Sequence, residues 1–378
     1  MKTMIGAYGP WAASLLPENP GPLSLQDCPR GEFAARRAKA KARVLECMAP
    51  PPMATPPVPE VQWRREHDGL SIEAVTWRLP YGAPTEAWVL KPAGATGRLP
   101  GIVALHDHGG FKFLGKEKIA QAGPEVPPLV QAHRADAYSG LAWANEIARR
   151  GYVVQVHDAY AFGSRRVRPA EVPFVLPSIV VDDTDSTKDG MNAYNDWAIQ
   201  HEHIMAKSLF SAGTTWPGVF WSEDRVALDL LCARPDVDPA RIGVGGLSGG
   251  GLRTTFLAGL DERVKCAVCV GMMTTWRDYL LHKSYTHTWM CYVPLLPRDL
   301  DYPEILGLRA PRPALVQNTR ADPLFSLPEM ERAVAQLETV YASSGSPGHF
   351  RASWYDGHHQ FSRAMQAEAF DWFDRWLK

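Results

Sequence analysis

The chain has 378 residues, 46% hydrophobic and 21% charged, the balance of a globular protein that can bury a core without disulfides or a structural metal. Forty basic residues against 41 acidic ones leave a net charge of −1, which gives no electrostatic reason to expect nucleic acid or an anionic membrane as partner. No apolar run approaches the about 18 residues of a membrane span.

The N-terminal stretch MKTMIGAYGPWAASLLPENPGP carries one lysine and a short apolar segment broken by Pro10. It makes a poor signal peptide, so a soluble, cytoplasmic protein is expected. Residues 1–60 read as an arm packing on the main domain. A charged, Ala-rich stretch from Glu32 to Glu46 is helix-like, and APPPMATPPVPE after it reads as an extended linker, because proline cannot continue a helix. The main domain spans 61–378.

From Val61 short strands follow: VQWRREHDG, SIEAVTWRLP and EAWVLKPA, with turn residues between them. GIVALHD is a short apolar run of the kind buried on both faces of a parallel sheet. It runs into His106-Asp107-His108-Gly109-Gly110, where glycines let the backbone approach a ligand closely. SGLAWANEIARRG is a predicted helix ending on Gly151, and YVVQVHD (152–158) is the next buried strand. Residues 160–225 read as an insertion that contains the pair His201 and His203.

RIGVGGLS (241–248) and VKCAVCVG (264–271) are two further buried strands, with the helical run GLRTTFLAGLD between them. Cys266 and Cys269 form the one Cys-x-x-Cys of the chain. Their strand context favours core packing over redox or zinc chemistry. A second insertion, 272–300, carries Trp276, Tyr279, Trp289 and Tyr292, as pocket lining or as a satellite core. PALVQNT (313–319) is the next strand. The helix LPEMERAVAQLETVYASSG then places Met330, Val334, Leu337 and Tyr341 on one face. FRASWYDG (350–357) is the last strand, and a final helix presents Met365, Phe370, Phe373 and Trp376. Strand alternating with helix predicts a doubly wound, mostly parallel α/β sheet with helices on both faces, and a site at the carboxyl ends of the strands.

Three positions there carry chemistry. Gly246-Leu247-Ser248-Gly249-Gly250 follows a strand and opens a helix, the context of a nucleophile elbow. A serine hydroxyl needs a base, and His359 in Gly357-His358-His359-Gln360-Phe361 is the first candidate, with adjacent His358 as its rival. The base needs an orienting carboxylate. Asp322, after the strand PALVQNT, is the candidate, with Asp278 as its rival. An oxyanion would be held by N–H groups of Gly249 and of His108 or Gly109. The competing reading is a metal-dependent hydrolase built on His106, His108, His201 and His203.

With these motifs, the chain resembles bacterial α/β-hydrolases of the dienelactone hydrolase and acetyl xylan esterase type over roughly residues 60–378. The resemblance rests on LHDHGG, RRGYVVQVHDAYAFGS, RIGVGGLSGGG, TRADPLF and DGHHQFS. It implies the α/β-hydrolase fold and a serine-dependent carboxylesterase with a Ser-His-Asp catalytic triad. It further implies no cofactor and a small-molecule ester as substrate, and leaves the oligomeric state open. Acetyl and carbohydrate esters are among the substrates it suggests, but the motifs specify neither acyl group nor alcohol. Dienelactone hydrolases carry cysteine at the elbow. Here the residue is Ser248, which favours simple ester over lactone hydrolysis.

Overall fold

The computed structural model describes residues 2–17, 20–53, 55–173 and 181–378. Among these residues nine strands form one sheet: β1 (Glu60–His67), β2 (Leu70–Trp77), β3 (Thr85–Pro92), β4 (Leu99–Ala104), β5 (Val153–His157), β6 (Val237–Leu247), β7 (Val264–Val270), β8 (Ala314–Thr319) and β9 (Phe350–Tyr355). Their order is β1-β2-β3-β5-β4-β6-β7-β8-β9. β1, β2, β3 and β5 pair antiparallel, and β5, β4, β6, β7, β8 and β9 pair parallel. β6 starts four residues earlier than its apolar run, because Val237 and Asp238 pair with Leu99 and Pro100.

The helices are α1 (Gly9–Ala13), α2 (Arg30–Met48), α3 (Pro128–Ala137), α4 (Trp143–Arg149), α5 (Lys188–Ser211), α6 (Trp216–Cys232), α7 (Gly249–Leu260), α8 (Trp276–Leu281), α9 (Tyr302–Gly307), α10 (Leu327–Ser343) and α11 (Arg363–Leu377). Alternate residues of each parallel strand serve opposite faces. Ala267 and Cys269 join a core with Leu231 of α6, Phe256 of α7 and Leu337 of α10. Cys266 and Val268 join a second core with Ile147 of α4 and Phe370 and Phe373 of α11. The two cysteines of the Cys-x-x-Cys therefore face opposite sides of the sheet, and all six cysteines are free.

Residues 216–225 fall inside the span read as an insertion, yet they are the first turns of α6, whose Leu231 is core. Thr215 caps that helix by accepting from Gly218 N–H at 3.0 Å, and Pro217 occupies its first turn. The arm lies on the same face. Leu25, Phe33, Val44 and Met48 are buried in the first core, and Ser24 Oγ donates to Glu304 at 2.5 Å.

Candidate active site

The elbow is built by a turn that few residues could make. Ser248 sits between β6 and α7 at φ 57°, ψ −118°, a conformation strained for a residue with a side chain. A Cβ on Gly246 would come within 2.3 Å of the Leu105 carbonyl oxygen, and one on Gly250 within 2.2 Å. Only glycine fits on either side, because the turn is pressed against the end of β4. Ser248 N–H donates to Val270 O at 2.9 Å, which ties the elbow to β7. The Gly249 N–H lies at the first position of α7, where a helix supplies no carbonyl partner.

The loop after β4 faces this N–H. A Cβ on Gly249 would stand 2.9 Å from the backbone nitrogen of His108, so the loop is pressed against the start of α7. Gly109 and Gly110 turn the loop through φ 60° and 72°. The buried ammonium of Lys118 holds it from behind, donating to the carbonyls of Asp107 (3.0 Å), His108 (2.7 Å) and Phe111 (2.7 Å). Burial pushes the Lys118 pKa down to about 8, with the Asp107 carboxylate opposing. Asp107 itself is held below the usual carboxylate range: burial raises it, but His133, Lys118 and the Tyr138 hydroxyl outweigh that.

Asp322 lies at the carboxyl end of β8 and His359 in the loop after β9. His359 Nδ1 and Asp322 Oδ2 are 2.6 Å apart. The other Asp322 oxygen accepts from Leu324 N–H at 2.9 Å. His359 Nε2 is enclosed and meets no partner among the described residues. The ring packs on the end of β7, where a Cβ on Gly271 would be 3.0 Å from its Cε1. His358 also borders the cavity that holds Ser248, but it is half exposed and lies 3.2 Å from Asp136. Asp278, the rival acid, is fully buried and committed elsewhere: it accepts from Thr274 Oγ1 (2.9 Å), from Ser326 N–H (3.0 Å) and from the Ser326 hydroxyl.

Ser248, Gly249, His108, Gly109 and His359 line one cavity of about 570 Å³. Its apolar wall comes from Ile199, Leu252, Met272, Met290 and Leu324. Trp276, Tyr279 and Trp289, expected as pocket lining, do not reach it. Trp276 and Tyr279 are buried in an aromatic cluster with Tyr302, at ring-centroid distances of 5.2 and 5.5 Å. Residues 286–291 form a wall with two sides. Thr288 and Met290 face the cavity, while Trp289 between them faces a separate apolar hollow. The sequence marked the aromatic segment but not which side each ring would take.

The four histidines of the metal reading do not converge. His106 accepts Ala159 N–H on Nε2 (3.2 Å) and bonds Asp107 O through Nδ1 (3.0 Å). Its pKa is lowered to about 3, by burial first and then by the charges of Arg253 and Lys118. His108 uses Nδ1 to accept Gly110 N–H and Nε2 to bond Glu202. His201 stacks on Trp197, whereas His203 is exposed. Among the described residues no group of three or more His, Cys, Asp or Glu is placed to hold a metal ion.

Two functional side chains escaped the sequence reading. Lys118 orients the loop, and Glu202 of α5 forms part of the cavity wall. Glu202 stands between His201 and His203 in HEH, a pattern that draws attention to the histidines. Its partners His108 and Lys112 lie 94 and 90 residues away.

The model of the prolyl oligopeptidase family matches residues 222–378, the part that carries Ser248, Asp322 and His359. A candidate hydrolase of Bacillus subtilis (strain 168), YtaP, is 25% identical over 344 residues, 90% of this chain and all of that one. A candidate acetyl xylan esterase from Bacteroides fragilis NCTC 9343 has a TM-score of 0.69 at 18% identity, covering 93% of this chain and 83% of that chain. A glucuronoyl esterase from Solibacter usitatus has a TM-score of 0.61 at 16% identity, covering 96% and 99%. At such identities the structural likeness is one of fold, and the fold is that of the α/β-hydrolases.

Proposed function

We propose that the chain is a carboxylic ester hydrolase acting through an acyl-enzyme on Ser248. One observation carries the reading. A histidine whose Nδ1 is held by a buried carboxylate leaves its Nε2 without a partner, in the cavity that also holds a serine on a strained elbow. His359 Nε2 takes the Ser248 proton as Oγ attacks the ester carbonyl carbon. Asp322 fixes the tautomer and stabilises the imidazolium. The tetrahedral alkoxide is met by the N–H groups of Gly249 and His108. Its collapse expels the alcohol, protonated by His359, and water then releases the acid by the same steps in reverse order of groups.

The relatives named as an acetyl xylan esterase and as glucuronoyl esterases make acetyl and carbohydrate esters the first substrates to test. Among the described residues no helix is long and apolar enough to cross a membrane. Six free cysteines suit a reducing, cytoplasmic compartment. The test is a panel of acetyl, longer-acyl and aromatic esters, with peptide amides alongside, assayed with wild type and Ser248→Ala and with and without EDTA. Ester turnover that survives the chelator and falls on the order of 10⁶-fold in the variant supports the reading. A variant keeping more than a few per cent of turnover overturns it.

A further inference from the structure

Glu202 is an ionised carboxylate in the wall of a mostly apolar cavity, and its two oxygens differ. Oε1 is bonded by His108 Nε2 at 2.8 Å and by the ammonium of Lys112. Oε2 meets no donor among the described residues, although Glu202 lines the cavity. Burial works to raise the carboxyl pKa. The His108 hydrogen bond and the charges of His108 and Lys112 outweigh it and hold the group down at about 2. Lys112 is as buried as its partner, so the pair is neutral in sum. Such a pair gives no reason to attract a cation, yet it presents an oxygen that accepts strongly. The position relative to the chemistry is also fixed. Glu202 bonds the side chain of His108, whose backbone is packed against Gly249, and it shares a cavity with Ser248.

We infer that Glu202 is a specificity residue whose Oε2 accepts a hydrogen bond from a hydroxyl group of the substrate, so that the enzyme prefers neutral, hydroxyl-bearing esters over their deoxy counterparts. This rests on the esterase reading of the same site. Met272, Met290, Leu252 and Ile199 of the same cavity cannot accept the donor, and its other carboxylates have partners: Asp107 meets Tyr138 and His133, and Asp136 meets His358. A hydroxyl placed against those apolar side chains would lose its water without replacement.

Two matched pairs of esters test it: methyl 3-hydroxybutyrate against methyl butyrate, and glyceryl monobutyrate against propyl butyrate. The hydroxyl lies on the acyl side in the first pair and on the alcohol side in the second. The expected result is a kcat/KM ratio of roughly 10–100 in favour of the hydroxyl ester in at least one pair, as for a hydrogen bond to a charged group. In Glu202→Gln that ratio falls about tenfold, even if both rates drop through the lost hold on His108. The ratio cancels the concentration of active enzyme, so partial misfolding of the variant does not disturb it. Wild-type ratios near one in both pairs overturn the inference, whatever becomes of the variant. So does a preference that Glu202→Gln leaves unchanged. Failure of the esterase reading looks different: wild type hydrolyses no member of either pair, or Ser248→Ala hydrolyses them as well as wild type.

Discussion

His359 Nδ1 stands 2.6 Å from Asp322 Oδ2, and this contact joins the loop after β9 to the end of β8. It bears on which of two adjacent histidines would serve as the proposed base. Both border the cavity, but His358 is half exposed and meets Asp136, while His359 rests on Gly271 and meets Asp322.

His359→Ala is expected to abolish ester turnover, by several orders of magnitude in kcat, and His358→Ala to leave most of it. Asp322→Asn should retain the fold and lose on the order of 10⁴-fold, since the amide would present the wrong tautomer to the ring. Steady-state rates on one activated ester decide the matter. Equal losses in the two histidine variants would contradict the assignment.

Lys118 is expected to act on kcat through the loop it clamps. Its three bonds run to carbonyls of residues 107, 108 and 111, and because a peptide's N–H points opposite to its C=O, the bond to the Asp107 carbonyl sets the direction of the His108 N–H. Lys118→Met keeps the apolar stem and removes the donors. The expected loss is roughly 10–1000-fold in kcat, its upper end being the cost of removing an oxyanion donor outright, with KM changed only a few-fold. A rise in KM at constant kcat would mean that the lysine supports ground-state binding instead.

Much of this arrangement could be read from the sequence, and the remainder has identifiable reasons. The buried strands announce themselves because both faces are covered, as in VKCAVCVG, and Gly246-Leu247-Ser248-Gly249-Gly250 is visible because the turn admits only small neighbours. Local spacing, however, carries no information about contacts made across the fold. Glu202 lies on a helix far in sequence from the loop it supports, and its chemistry depends on Lys112 and His108. The direction of Trp289 was equally hidden, since one residue of register decides between the cavity and the hollow behind it. The boundary at 225 erred because α6 begins in an aromatic, Pro-containing stretch that reads as loop before its apolar face starts.

Buried neutral histidines set an acid limit on stability. The His106 pKa falls from 6.5 to about 3 in the folded protein, and His287 falls to about 4, burial being the main cause in each. Below pH 6.5 the unfolded chain takes up protons that the folded chain refuses, so stability drops as the pH falls. At pH 5 His106 alone accounts for about 2 kcal/mol of the loss. Glu202 adds nothing in this window, because its contribution begins to fade only below about 4.5. The urea midpoint should therefore be clearly lower at pH 5 than at pH 7.5. Equal midpoints would mean that these rings are protonated in the fold.

Removing residues 1–48 is expected to cost the protein its stability. The arm places Leu25, Phe33, Val44 and Met48 in the larger core. Each such side chain contributes about 1.5–3 kcal/mol when fully buried, so the four together match the whole net stability of an ordinary domain, about 5–15 kcal/mol. The polar anchors fail with them. Glu304 is buried, and burial raises its pKa. In the intact chain it accepts from Ser24 Oγ at 2.5 Å and from Leu25 N–H at 2.9 Å. Truncation strips these two donors, leaves the Asp301 N–H at 3.2 Å, and opens the carboxyl group's apolar surroundings. The shortened chain should express as aggregate or lack a cooperative urea transition. Ser24→Ala, which removes one bond to a charged group, should fold and lose roughly 1–3 kcal/mol. A truncated chain with the wild-type midpoint would show the arm to be an appendage, and the core would have to be redrawn without it.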